Sequence, residues 1–363
     1  MAPALACARW GCLTAFLHAV GTATPAHDIH DEYLAWARSR VSGDRERRVF
    51  DRMAARAGIE RRWSVLPAAG SFAAKGFYGD ALFPGTAARM AIYAEQAPAL
   101  GVQAIEQLGD RAQLDGVTHL VVASCTGFVA PGIDQIIARR LGLSPSVERL
   151  LIGFMGCYAG VAALRTARHL VRSDPAARVL AVCVELCTLH LQDTPELESL
   201  LGQMQFGDGA AAALVTGEPG GFELGAPFST TLPDSHDLIR WDITDRGFAM
   251  HLSGEVPGRI AAALADEAFA HAATGGASAD AIRNWAVHAG GRSILDAVEG
   301  ALRLPPTALA PSRGVLAEAG NMSSATLLFV FQRLLERPEG DGVALAFGPG
   351  LAAEGFSFRG AAR

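Results

Sequence analysis

The stretch GFMGCYAGVAALRTARHLV, residues 153–171, sets a thiol at a junction between two kinds of pattern. Before it, Leu150 to Phe154 form a short apolar run of the kind a buried strand makes. After it, Val161, Leu164, Ala167 and Val171 recur at helical spacing, so a helix begins within a few residues of Cys157. A sulfur at a helix start meets unpaired backbone N–H groups and the positive end of the helix dipole, both of which favour thiolate. Gly156, Ala159 and Gly160 leave room for a ligand or a second backbone to approach. The competing reading is a small buried hydrophobe, the commonest use of a free cysteine, so a catalytic Cys157 requires partners elsewhere in the chain.

The same strand-into-helix alternation recurs along the sequence and implies an α/β layered fold. Strand-like runs are THLVVASC (118–125), RLLIGF (149–154), RVLAVCVEL (178–186), GAAAALVTG (209–217), NWAVHAG (284–290) and GVALAFGPG (342–350). Helical patterns lie between them, including one over 87–108 in which Pro98 predicts a kink. At 363 residues the chain exceeds the size at which one hydrophobic core stops growing, which implies two core-bearing halves. GEPGGFELGAPF, residues 217–228, is rich in Gly and Pro and marks the boundary, giving halves 1–221 and 222–363.

Composition excludes several classes. Half of the residues are hydrophobic and 19% are charged, which argues against disorder. A net charge of -6 gives no basic footprint for nucleic acid, and no apolar run is long enough to span a bilayer. The opening MAPALACARWGC lacks a basic first segment and Arg9 interrupts its apolar stretch, so it reads as a lead-in and not a signal peptide. Six cysteines, Cys7, Cys12, Cys125, Cys157, Cys183 and Cys187, have neither the density nor the pairing of a disulfide scaffold, which points to a reducing cytoplasm. Cys183 and Cys187, four apart in a strand-like run, are expected to face one core, and no spacing resembles a metal site.

Partners for Cys157 occur in the second half. NWAVHAGGRSILDAVEGAL (284–302) ends an apolar run at His288 and passes through Gly290 and Gly291 into a helix marked by Ile294, Leu295, Val298 and Leu302. LAEAGNMSSATLLFVFQRLL (316–335) has the same layout, with Asn321 after Gly320 and a helix opening near Ser323 and Ser324. Strand ends that precede helices are where α/β sheets present functional groups. Each residue has a structural alternative, a satisfied histidine or a helix cap.

Taken together, FLHAVGTATP (16–25), GCYAGVAALRTA around Cys157, FGDGAAAALV at Phe206, VHAGGRSILDAVE at His288, AEAGNMSSATLLFV at Asn321 and the terminal AFGPGL resemble the type III polyketide synthases, chalcone synthase-like enzymes of the thiolase superfamily. The resemblance covers nearly the whole chain. It implies a layered αβαβα fold built from two similar halves, a homodimer, and CoA thioesters as substrates with no further cofactor. By it, Cys157 carries the acyl group, His288 and Asn321 are its catalytic companions, and Phe206 is an aromatic gatekeeper. Met250 stands where plant members place a second gatekeeping phenylalanine, and Cys125 and His190 where they place cavity threonines; Ser323 joins the substrate contacts. Arg52 and Arg56, in RERRVFDRMAARAGIERR, fall at basic CoA contacts, while Val49 replaces a lysine.

The chemistry suits these residue types. A thiolate beside a cationic imidazole captures a thioester and remains a good leaving group. Fixed donors stabilise the oxyanion that forms when malonyl-CoA loses carbon dioxide. VCVELCTLHLQ (182–192) looks like bacterial members that take aliphatic starters, which implies a fatty acyl-CoA starter and an alkylpyrone or alkylresorcinol product. Two rivals stay open: a β-ketoacyl carrier-protein synthase III, which condenses once, and a Cys-His-Asn hydrolase. A nucleotide-binding module suggested by GPGLAAEG lacks the Rossmann spacing.

Overall fold

A computed structural model describes residues 14–66, 70–79, 83–109 and 114–360; Cys7, Cys12 and the opening segment lie outside the described residues. The first half supplies β1 (Phe16–Ala23), a two-residue β2 (His27–Asp28), α1 (His30–Arg40), α2 (Asp44–Arg56), β3 (Trp63–Ser64) and α3 (Thr86–Glu106). It continues with β4 (His119–Ser124), α4 (Ile133–Leu141), β5 (Glu148–Gly153), α5 (Ala159–Ser173), β6 (Arg178–Leu186), α6 (Leu197–Gln203) and β7 (Asp208–Thr216). The second half supplies β8 (Phe222–Thr231), the hairpin of β9 (Ile239–Thr244) and β10 (Gly247–Leu252), α7 (Val256–Ala265), α8 (Glu267–Ala273) and β11 (Asn284–Val287). Then follow α9 (Arg292–Ala301), α10 (Ala310–Ala319), α11 (Thr326–Leu335), β12 (Asp341–Gly348) and β13 (Ala352–Gly360). Pro98 sits within α3, which continues on both sides of it.

The two halves repeat one strand plan. In the first, β4 and β6 are parallel, β7 is antiparallel to β6, and β1 is antiparallel to β7. In the second, β11 and β12 are parallel, β13 is antiparallel to β12, and β8 is antiparallel to β13. The two sets join edge to edge where Phe16 meets Glu223 and Leu17 meets Phe222, giving one sheet in the order β11-β12-β13-β8-β1-β7-β6-β4-β5.

Along β6 and β12 both faces are buried, which explains their continuously apolar runs, whereas β5, expected as a buried strand, is the sheet edge and leaves Leu150 and Leu151 exposed. On β6, Val179, Ala181 and Cys183 enter a central core, whereas Leu180, Val182, Val184 and Leu186 enter an outer one. On β12, Ala344 and Ala346 face the same central core, and Val343, Leu345 and Phe347 face a third. The central core is filled by α5 and α11, including Val161, Leu164, Ala167 and Val171 as their spacing predicts. Layers of outer helices, strands, α5 with α11, strands and outer helices make the αβαβα sandwich.

Cys187 departs from expectation. Strand β6 stops at Leu186, so Cys187 lies in a 3-10 turn beyond it and does not share the face of Cys183. Among the described residues, no helix is long and apolar enough to cross a membrane.

Candidate active site

Each central helix begins where the backbone is bent. Between β5 and α5, Phe154 and Gly156 adopt φ of 55° and 71°, and a 3-10 turn spans Gly156–Tyr158. A side chain at Gly156 would put its Cβ 2.4 Å from Pro349 Cδ, so both conformation and space require glycine. The Gly156 N–H donates to Cys125 Sγ at 2.9 Å. Below the turn, buried Glu185 accepts from the Cys125 N–H at 2.9 Å, from Thr126 Oγ1 at 2.8 Å and from Ser324 Oγ. One carboxyl group thereby ties the start of α5 to the start of α11, and burial pushes it up to about 7 against the pull of these bonds.

The second junction, before α11, carries Asn321. Its backbone is pinned on both sides, donating to Gln205 O at 2.8 Å and accepting from the Gly207 N–H at 3.0 Å, which sets it beside Phe206. Asn321 Oδ1 accepts from the Ser323 N–H at 2.8 Å, which fixes the amide orientation and leaves Nδ2 to donate to Gly290 O at 3.2 Å. That Nδ2 lies 3.9 Å from Cys157 Sγ. His288 follows β11 directly, and its N–H extends the strand pairing to Leu345 O at 2.8 Å. His288 is 2% exposed, and neither ring nitrogen has a hydrogen-bond partner among the described residues.

Cys157, His288 and Asn321 open on one cavity of about 520 Å³, whose wall is otherwise largely apolar and includes Phe206, Trp241 and Met250. Burial pushes the Cys157 thiol up to about 11, although the Ser323 hydroxyl and the Asn321 amide ease the thiolate. Burial therefore opposes the thiolate that the helix start and these two hydrogen bonds favour. Burial likewise pushes His288 down to about 3, which favours the neutral imidazole over the cationic one.

The remaining expected site residues divide. Phe206 and Met250 line the cavity. His190 lines a small side pocket behind them, where Nε2 bonds Thr126 O at 2.7 Å, Nδ1 accepts from the Phe248 N–H at 3.0 Å, and the ring stacks on Phe248 at 4.2 Å. Burial pushes it down to about 4, which favours the neutral ring. Cys125 lines neither of these pockets: it is 1% exposed in the central core, and its sulfur accepts from the Gly156 N–H. Ser323, fully buried with φ of 46°, stands behind Asn321 and beside the sulfur.

At the mouth, Arg56 and Arg292 line an adjoining recess of about 280 Å³ that shares Met53, Gln205 and Ser293 with the cavity. Arg52 is exposed on the same helix and lines neither space. Sequence reading missed Arg292 and Trp241. Trp241 pairs across the β9–β10 hairpin with Met250 and meets Phe206 edge-on at 6.1 Å. Its signal was the alternation in IRWDIT and GFAMHL, which marks a hairpin but not which face meets the cavity.

Comparison with known proteins agrees with this architecture. Residues 7–219 match the family model of the chalcone and stilbene synthases, N-terminal domain, and residues 223–362 that of their C-terminal domain. The alpha-pyrone synthesis polyketide synthase-like Pks18 of Mycobacterium tuberculosis is 36% identical over 286 residues, covering 74% of this chain and 72% of the relative. The C-terminal type III polyketide synthase domain of Steely1, a type I/III hybrid from Dictyostelium, superposes with a TM-score of 0.85 at 26% identity, covering 96% of this chain and 100% of that one. PKS-I of the brown alga Ectocarpus siliculosus gives 0.83 at 28% identity, covering 96% and 98%. The chain belongs to the chalcone and stilbene synthase family and is a type III polyketide synthase.

Proposed function

We propose that Cys157 takes a fatty acyl group from acyl-CoA, extends it with malonyl-CoA, and releases an alkylpyrone or alkylresorcinol. The observation that carries the roles is that Asn321 Nδ2, 3.9 Å from Cys157 Sγ, and the His288 ring, whose nitrogens are unpartnered among the described residues, line the same largely apolar cavity as Cys157. In loading, Cys157 Sγ attacks the acyl carbonyl while His288, neutral and free to accept, takes the thiol proton and returns it to the departing CoA thiolate. In extension, the carboxylate of malonyl-CoA leaves as carbon dioxide and its bonding pair moves onto the thioester, whose oxygen is met by the N–H groups of Asn321 and His288. The enolate carbon attacks the acyl carbonyl on Cys157, the C–S bond breaks, and the lengthened chain passes to CoA. Repetition precedes ring closure.

The apolar wall supports a fatty starter, and the alpha-pyrone product named for the mycobacterial relative supports a pyrone. Arg56 and Arg292 at the mouth, with Arg52 nearby, would meet the CoA phosphates, and CoA thioesters are the only cofactor-like groups required. The edge strand β5 exposes Leu150 and Leu151, with Phe154 and Phe128 beside it, each 44–52% exposed; an apolar, unpaired strand edge of this kind supports a two-fold homodimer. Free thiols at Cys125, Cys157, Cys183 and Cys187 support a cytoplasmic setting. The start of β8 at Phe222, after the Gly-rich turn, supports the division at 221/222.

Incubation of the purified protein with a series of acyl-CoA starters and malonyl-CoA, followed by mass spectrometry, tests the reading. Pyrone or resorcinol products from medium and long aliphatic starters are expected. A single condensation that needs malonyl carrier protein, or hydrolysis alone, would refute it.

A further inference from the structure

The helix beside the cavity mouth carries a longer row of positive charge than the recess itself contains. On α2, Arg45, Arg48, Arg52 and Arg56 follow at spacings of three, four and four residues and so share one face. All four are exposed, and none forms an ion pair among the described residues. Of the helix's three acids, Asp51 pairs with Arg38 at 2.8 Å and Asp44 with Arg47 at 3.6 Å, and Glu46 forms no ion pair among the described residues. Phe50, 1% exposed, anchors the opposite side, and Met53 turns to the cavity. Arg56 is the member at the mouth; at about 1.5 Å of rise per residue, Arg48 and Arg45 lie about 12 and 16 Å further along the helix. On a chain of net charge -6 this row is a local exception.

We propose that the α2 arginine row docks an acidic acyl carrier protein, so that a starter also reaches Cys157 on protein-bound phosphopantetheine. This rests on the synthase reading, in which Cys157 accepts acyl groups from thioesters. A carrier protein and CoA end in the same phosphopantetheine thioester, so one cavity takes both, and they differ only outside the mouth. There a nucleotide occupies Arg56 and Arg292, whereas a folded partner with an acidic helix covers the whole row, including Arg48 and Arg45. Arginine rows suit carboxylate surfaces, and exposed charge pairs of this kind act chiefly by steering encounter. The transfer needs no added reagent: the acyl–sulfur bond to the carrier breaks, the bond to Cys157 Sγ forms, and the Cys157 proton ends on the carrier thiol.

The test follows label appearing on Cys157 when the full chain is given decanoyl-CoA or a decanoylated bacterial fatty-acid acyl carrier protein. The double variant Arg45→Glu/Arg48→Glu touches neither the cavity nor the recess. It is expected to slow loading from the carrier about tenfold and to weaken its salt dependence, while loading from decanoyl-CoA stays within about twofold. Loading from CoA but not from the carrier overturns the proposal and leaves a solvated helix face. Equal slowing of both sources overturns it too, and would assign the row to CoA. Loading from neither source instead defeats the synthase reading, and the docking with it.

Discussion

The two central helices enter the sandwich in the same manner and deliver different chemistry. Each is preceded by a 3-10 turn, Gly156–Tyr158 before α5 and Ser323–Ala325 before α11, and each turn by left-handed backbone, at Phe154 and Gly156 or at Gly320 and Ser323. Each helix then leads to the strand that pairs in parallel within its own half, β6 or β12. One junction ends in a sulfur with space in front of it. The other ends in a carboxamide whose oxygen is already bonded and whose N–H points at that sulfur. A repeated scaffold thus supplies two facing points of presentation, and one residue at each decides what is presented.

Removing the sulfur should have the largest effect. Cys157→Ala is expected to abolish acyl-enzyme formation and to lower polyketide synthesis by more than about 10³-fold, with the melting temperature little changed. Mass spectrometry of the protein after exposure to acyl-CoA reads this directly, and full synthesis by the variant would break the assignment of roles to the two junctions.

Removing the donors should cost less and should separate steps. Loss of one oxyanion donor lowers rates by about 10²–10³-fold, so Asn321→Ala should reduce malonyl-CoA decarboxylation by that much while Cys157 still loads. His288→Ala should reduce decarboxylation similarly and also change the behaviour of the sulfur. Burial already holds the Cys157 thiol up at about 11 with His288 present, and the variant has no imidazole to accept its proton. A raised thiol stays protonated below that value, so iodoacetamide labelling of Cys157 should fall at neutral pH and climb only as pH rises toward about 11. A labelling profile unchanged from the wild type would mean that His288 does not share the proton.

The legible part of the site was local and the illegible part was not. Cys157, His288 and Asn321 each sit where an apolar run meets a helical period, and that meeting is written within about ten residues of sequence. Gly156 and Gly160 were readable as places of close approach for the same reason. The layering was legible too, since buried parallel strands are continuously apolar and helices between them are amphipathic. Whether Cys125 and His190 face the substrate depends on which way a strand end turns, and Trp241 reaches the cavity only because a hairpin from the second half folds across it. The balance of charge on Cys157 was equally hidden, because the helix start is a local feature and exclusion of water is a property of the closed sandwich.

A contact between the junctions offers a finer test. Gly160, on the first turn of α5, has no room for a side chain: its Cβ would lie 2.4 Å from Ser324 O at the start of α11. Alanine in a helix is intrinsically better than glycine by about 1 kcal/mol, while overpacking costs about 1–3 kcal/mol. Gly160→Ala should therefore show a net loss of stability in denaturant, the reverse of what propensity alone gives. It should also slow condensation about tenfold by shifting Asn321 from Cys157, since small misplacements of reacting groups are costly. A stabilised, fully active variant would show that the two junctions are not held in register by this contact.

The smallest effect is expected at Cys125, whose position repeats that of His288. Each follows directly on the strand that starts the parallel pair of its half, β4 or β11, yet His288 faces the cavity and Cys125 faces inward to hold the Gly156 N–H. Cys125→Ala leaves that buried N–H without an acceptor, which costs about 1–3 kcal/mol, whereas Cys125→Ser keeps an acceptor and should lose less. Neither change removes an atom that faces a bound thioester, so loading of Cys157 should stay within about threefold of wild type and the product spectrum should not move. A changed ring-closure mode or chain length in Cys125→Ala, with stability intact, would return this sulfur to the cavity wall and show that the first half presents two functional side chains, as the second half does.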